Sequence, residues 1–161
     1  MSESDPSRAA AEFFRQAYEQ QMSGEYAQAI ELYTRSIEAL PTAEAYTFRG
    51  WTYSFLGDYE RAIEDCHRAI KVDPEFGNPY NDIGAYLIEQ EKWEEAIPWF
   101  EKAMDAKRYE ARAYPYLNLG RVYEHQHKWE KARSCYRQAL DIDRKYLTAL
   151  KALRRLSAIC N

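Results

Sequence analysis

Glycine and proline are scarce, with six of each in 161 residues, so little of the chain is available for long loops or flexible linkers. Nowhere do β-branched and polar residues alternate over the length of a strand, which sets aside the β-rich classes and predicts an all-α chain. No stretch approaches the roughly eighteen apolar residues of a membrane span. The opening residues, MSESDPSRAAAEFF, lack both the basic and the apolar segment of a secretory signal. The three cysteines, Cys66, Cys135 and Cys160, are far apart and form no C-x-x-C pair, which argues against a disulfide framework and predicts a reduced, cytoplasmic protein. Excess positive charge is missing too: 22 Lys and Arg against 26 Asp and Glu leave a net charge of -4. Such a chain has no general field for phosphate backbones or acidic lipid, so neither nucleic acid nor membrane is expected as a partner.

Chemical motifs are equally sparse. There is no Gly-rich phosphate loop, no G-x-S-x-G and no kinase signature, and no enzyme, cofactor or metal is expected. His125 and His127 could suggest a metal pair, but no cysteine or third histidine accompanies them. His127 falls where other parts of the chain carry Gly24 or Gly57, which reads as an ordinary turn. Cys66 beside His67 could suggest an activated thiol. Cys66 instead takes a place that aromatic residues fill elsewhere, and it reads as a small buried hydrophobe.

What the sequence does have is aromatic residues, including four Trp and 14 Tyr, and a repeated pattern. In the stretch Gly57 to Gly77 the apolar residues Tyr59, Ala62, Ile63, Cys66, Ala69 and Ile70 fall on one face of a helix. Gly57-Asp58 supplies the start signal and Asp73-Pro74 the stop. The same unit occurs four times. Its opening aromatics, Tyr26, Tyr59, Trp93 and Trp129, are spaced by 33, 34 and 36 residues, the period of a stacked helical array. In that register Ala29, Ala62, Ala96 and Ala132 align, as do Tyr33, Cys66, Phe100 and Tyr136. Upstream, Ala17, Gly50, Gly84 and Gly120 form a column of small residues, preceded by Phe13, Tyr46, Tyr80 and Tyr116. The small column is expected to face the alanine column, letting the paired helices approach closely.

Position by position the chain resembles the tetratricopeptide repeat family, over residues 10 to 146. The second copy reads Tyr46, Gly50, Tyr53, Ala62, Cys66, Ala69, Pro74; the fourth reads Tyr116, Leu119-Gly120, Tyr123, Ala132, Tyr136, Ala139. The resemblance implies one domain over 1–161, a right-handed α-solenoid of antiparallel helix pairs, with repeats over 10–42, 43–76, 77–112 and 113–146. A capping helix over 147–160 would present the stripe Leu147, Leu150, Leu153, Leu156 and Ile159. Gln16 and Gln20 mark the first helix as a partly exposed cap. Pro79 and Pro115 suit first turns, and Pro98 is expected to kink its helix without breaking it. The copies also depart from the family. Arg108 and Arg144 replace the terminal proline, and two extra residues within Lys107 to Glu110 lengthen one turn.

In this family the first helices line a concave face. Residues there that the stacking pattern does not use include Phe14, Tyr18, Phe48, Trp51 and Phe55, expected as apolar anchors for a peptide or helical segment of a protein partner. Asn81, Asn118 and Arg121 are expected as hydrogen-bond donors. The bland alternative is that these aromatics only stiffen the array. Members that clamp the C-terminal carboxylate of heat-shock chaperones use Lys and Asn, then Asn, then Lys and Arg. The matching positions here hold Phe14 and Tyr18, then Phe48, then Asn78 and Asp82, so that clamp is not expected. A non-catalytic adaptor is the leading expectation; self-association as a homo-oligomer, or a dedicated secretion or pilus chaperone, are the alternatives.

Overall fold

A computed structural model describes residues 5–159 of the chain; Cys160, counted above, lies outside the described residues. Among these residues there are nine α-helices and no extended strand: α1 Pro6–Met22, α2 Tyr26–Ala39, α3 Ala43–Phe55, α4 Tyr59–Val72, α5 Asn78–Glu89, α6 Trp93–Asp105, α7 Ala113–His125, α8 Trp129–Ile142 and α9 Leu147–Ile159. The four aromatics that set the sequence register each open an even-numbered helix. Local chemistry fixes several ends. Asp5, Thr42 and Asp58 cap α1, α3 and α4 by accepting backbone N–H bonds at 3.1 Å. Pro79 and Pro115 sit in first turns, and α6 continues through Pro98 without a break.

The turn inside each pair uses one device four times. Gly24, Gly57, Glu91 and His127 all adopt positive φ, from 58° to 81°. Glycine does this without steric cost, whereas the glutamate and the histidine are held in a left-handed conformation by the turn around them. His127 is thus a turn residue, and His125 is stacked on Trp93 with ring centroids 4.0 Å apart.

Each helix packs on the one before and the one after, and α1, α3, α5 and α7 also touch in succession. Contact between alternate helices on the odd-numbered side only means that this row lies on the inside of the curve. The alanine column and the Tyr33, Cys66, Phe100, Tyr136 column are fully buried between the rows. The small column faces a different partner from the expected one. A methyl group on Gly84 would stand 2.5 Å from Phe100 Cε1, and one on Gly120 would stand 2.5 Å from Tyr136 Cε1. These glycines therefore receive an aromatic ring from the paired helix. Only at Gly50 is the alanine column nearest, with Ala62 O at 2.9 Å, because Cys66 is too short to fill the space.

At the C-terminal end α9 packs on α8, but its buried residues are Ala149, Ala152 and Leu156, while Leu147 and Ile159 are exposed. The expected stripe fails for a geometric reason. Residues repeating every third position drift about 60° per step around a 3.6-residue helix, so the two ends of a five-member series cannot share one face. Arg155 on α9 also pairs with Glu124 on α7 at 2.8 Å, and Glu124 accepts from the Tyr136 hydroxyl at 2.7 Å. At the other end, Gln16 and Gln20 are half-buried and Gln21 is buried, accepting a 2.7 Å bond from the Tyr33 hydroxyl.

Candidate functional site on the concave face

The inner row carries a continuous run of aromatic rings. Phe48 on α3 lies 5.2 Å from Phe14 and 5.9 Å from Tyr18 of α1, both edge-on, and 5.7 Å from Trp51. Trp51 continues to Phe55 at 5.3 Å, and Phe55 stacks flat on Tyr26 of α2 at 5.1 Å. Helical spacing explains the run, since residues three and four apart share a face of α3. Phe14 and Phe48 are half-buried, whereas Tyr18, Trp51 and Phe55 stay 42%, 37% and 47% exposed. The five rings expected as anchors thus form one chain, with Phe48 at its centre. Phe55 leaves the groove for the rim near the α1–α2 turn.

The polar residues form a second chain. Asn118 on α7 donates to Asn81 on α5 at 3.1 Å, and the Arg121 guanidinium lies 3.4 Å from the Asn118 carbonyl oxygen. Asn81 is buried and Arg121 exposed. One amide donor of Asn118 is therefore spent on Asn81, while Arg121 is presented to solvent. His125, on the same helix, is committed to Trp93.

Between the two chains lies a cavity of about 260 Å³. One wall is Phe48 and Trp51 of α3; the other is Asn78, Asn81 and Asp82 of α5. Tyr109 and Tyr114, neither singled out by the repeat pattern, complete it. Tyr109 belongs to the segment where the sequence carries two extra residues. That segment is tied back to the start of α5: Gly77 N–H donates to Arg108 O at 3.0 Å and Arg108 N–H to Glu75 O at 2.9 Å. The Arg108 guanidinium pairs with Asp73 and Glu44 at 2.7 Å and lies over the Phe76 ring. Gly77 lacks the side chain that would overlap the Tyr109 ring. The signal in the sequence was the insertion itself, with a tyrosine inside it and a glycine opposite.

Asp82 is half-buried at the cavity wall. Loss of solvent pushes its carboxyl up to about 7, against a hydrogen bond from Asn81 that acts the other way. It belongs to no ion pair among the described residues. Farther along the same face a second cavity, about 460 Å³, is lined by Arg121, Lys151 and Arg155 together with Leu117 and the exposed Leu147. The groove is thus aromatic at the α1–α3 end, acidic at its middle and basic at the α7–α9 end.

Other reactive groups are committed elsewhere. Burial pushes the Cys66 thiol well above its ordinary range and the Cys135 thiol up to about 11, so both are inert hydrophobes at neutral pH. Asp65 is fully buried, but Arg49 holds it through two bonds of 2.7 and 2.8 Å, and Arg68 adds a third at 2.8 Å. Among the described residues no group of three His, Cys, Asp or Glu side chains is placed to hold a metal ion, and no helix is long and apolar enough to cross a membrane.

The chain is 33% identical over 104 residues to the small glutamine-rich tetratricopeptide repeat-containing protein 2 of Mycosarcoma maydis, a match covering 63% of this chain and 30% of that one. It is 31% identical over 84 residues to the heat-shock protein cognate co-chaperone sgt12 of Aspergillus fumigatus, covering 52% and 25%. The chain therefore spans less than a third of these relatives. Solved structures sharing the fold include pilF of Pseudomonas aeruginosa, with a TM-score of 0.87 at 21% identity over 94% of this chain and 68% of that one. Another is YrrB, described as having an unusual peptide-binding site, with a TM-score of 0.72 at 19% identity over 91% and 75%. Tetratricopeptide repeat models match residues 43–76 and 75–145, and with the helix pairs and columns described above the chain belongs to the tetratricopeptide repeat family.

Proposed function

We propose that this chain is a non-catalytic adaptor that binds a peptide or short helical segment of a protein partner in its concave groove. The observation that carries the proposal is the run Phe14, Tyr18, Phe48, Trp51, Phe55, a row of large rings left partly open to solvent on the inner face. Core aromatics are normally covered; a row of rings that leaves Tyr18, Trp51 and Phe55 exposed beside a cavity supports a binding hot spot. Asn81, Asn118 and Arg121 supply the polar groups that would fix the register of the bound segment. Relatives of co-chaperone name support the adaptor class. They do not carry over the carboxylate clamp, because Phe14, Tyr18 and Phe48 stand where the clamp uses lysine or asparagine, and Asn78 and Asp82 where it uses lysine and arginine.

Selection of peptides from a displayed random library on the immobilised chain tests the reading without a known partner. Selected peptides are expected to lose about 30-fold or more in affinity, some 2 kcal/mol, against Trp51→Ala, with the variant's helical content unchanged. Peptides that bind the folded variant as tightly as the parent would place the interface elsewhere.

A further inference from the structure

We infer that the cavity beside Asp82 is a receptor for one cationic side chain, a lysine or arginine of the bound segment, with the Asp82 carboxylate as counter-ion and the Phe48 and Trp51 rings as its walls. The inference rests on the groove reading above and adds the chemistry of the ligand. Three observations lead to it.

The cavity is built rather than left over. Its Tyr109 wall comes from the two-residue insertion that departs from the repeat pattern, and the insertion is tied down by two backbone hydrogen bonds and by Arg108. Among the four copies the two extra residues that supply this wall occur once, between the third and the fourth.

The groups facing Asp82 leave its charge unanswered. From α4 comes the Cys66 thiol, from α5 the Tyr86 phenol and the Asn81 amide, and from the inserted segment the Tyr109 phenol. Burial pushes all three titratable neighbours upward, so they are neutral at physiological pH. From α3 the lining side chains are Thr47, Phe48 and Trp51, and from α7 Tyr114. The nearby cations are committed: Arg49 to Asp65, and Arg112 to the Ala106 and Lys107 carbonyls. A partly desolvated carboxyl with no cation paired to it among the described residues gains most from a cation brought by a ligand.

The walls suit the same ligand. Indole and phenyl faces attract lysine or arginine by their quadrupole and cover the aliphatic stem. An anionic or purely apolar group would satisfy the rings or the depth of the cavity but leave the carboxyl unpaired. This polarity is opposite to that of a carboxylate clamp at comparable positions.

The experiment uses the full chain, labelled with ¹⁵N, and four small probes: the N-acetyl methylamides of arginine, lysine, norleucine and glutamate. The arginine and lysine probes are expected to shift the Trp51 indole N–H and the Asn78 and Asn81 amide signals, at least tenfold more tightly than norleucine, with glutamate weakest. Asp82→Asn keeps shape and removes charge; it is expected to weaken the cationic probes at least tenfold and leave norleucine unchanged. Because the cation binds the ionised carboxyl, affinity for the cationic probes falls about tenfold from about pH 8 to about pH 6 in the parent chain, and is flat in the variant. Equal binding of norleucine and arginine, undiminished cation binding by a folded Asp82→Asn chain, or no shift at these signals with any probe would each overturn the inference. Library peptides that need Trp51 but ignore Asp82 would overturn it while leaving the adaptor reading in place. Cationic probes that need Asp82, with no library peptide needing Trp51, would do the reverse.

Discussion

Replacing Gly84 by alanine tests how the repeats are packed. In an exposed helix the change would stabilise by about 1 kcal/mol, the difference in helix propensity. Here the added methyl would stand 2.5, 2.7 and 2.8 Å from three carbons of the Phe100 ring, which is fully buried. Overpacking of this kind costs about 1–3 kcal/mol, so after the propensity gain of about 1 kcal/mol a net loss of up to about 2 kcal/mol is expected. In the second copy, where Cys66 replaces the ring, a methyl on Gly50 would meet no ring but would stand 2.9 Å from Ala62 O and 3.3 Å from Asp65 Cβ. Phe100→Leu should lower stability by itself through lost burial, yet in that background Gly84→Ala should become neutral or favourable. Urea unfolding of the four proteins completes a double-mutant cycle, with an expected coupling of about 1–3 kcal/mol. If Gly84→Ala stabilises the parent chain, or costs the same with and without the ring, the glycine is not there to receive the aromatic.

Three further outcomes are expected. Arg49→Met leaves Asp65 buried with Arg68 as its remaining partner, and urea titration should register a loss of about 3 kcal/mol, the lower end for breaking a buried pair; a change below about 1 kcal/mol would mean that Asp65 is not held as a charge. Asp82 keeps its proton in the folded chain up to about 7 but loses it near 3.8 when unfolded. The folded state therefore binds more protons across that window, and stability should decline as pH rises through it and then level off. The full decline would be about 4 kcal/mol at most, less because solvent reaches a half-buried carboxyl. Unfolding at about pH 5 and about pH 8 should show that slope in the parent and not in Asp82→Asn; parallel slopes would refute a desolvated carboxyl. Finally, Phe48→Ala should cost about 3 kcal/mol in thermal or urea unfolding. Trp51→Ala, with two ring neighbours and a third of its surface open, should cost only about 1–2 kcal/mol. The reverse order would make Trp51 a packing residue.

The fold was legible because stacking needs the same side-chain sizes at the same places in every copy. Tyr26, Tyr59, Trp93 and Trp129 mark helix starts, and Asp58 and Pro74 mark a start and a stop, through chemistry that acts over a few residues. Which column faces which is a three-dimensional relation that no spacing encodes, and so Gly84 was paired with alanine rather than with Phe100. The α9 stripe misled because a repeat of three looks helical over two members and drifts away over five. At the groove, spacing on α3 was enough to group Phe48, Trp51 and Phe55. Tyr109 and Tyr114 were missed, since Tyr109 reaches the cavity through an insertion that belongs to no column. In the sequence Asp82 is a concave-face position whose charge does not suit a carboxylate ligand; that it pairs with no cation among the described residues depends on where Arg49 and Arg112 turn.

The central claim is that the inner row, α1, α3, α5 and α7, is the binding surface. A backbone and side-chain amide shift map of the labelled chain, recorded with a library-selected peptide, tests it most directly. The largest shifts are expected on Tyr18, Phe48, Trp51, Asn81 and Asn118, with little change on α2, α4, α6 and α8. Shifts concentrated on those outer helices, with the Trp51 indole signal unmoved, would contradict it.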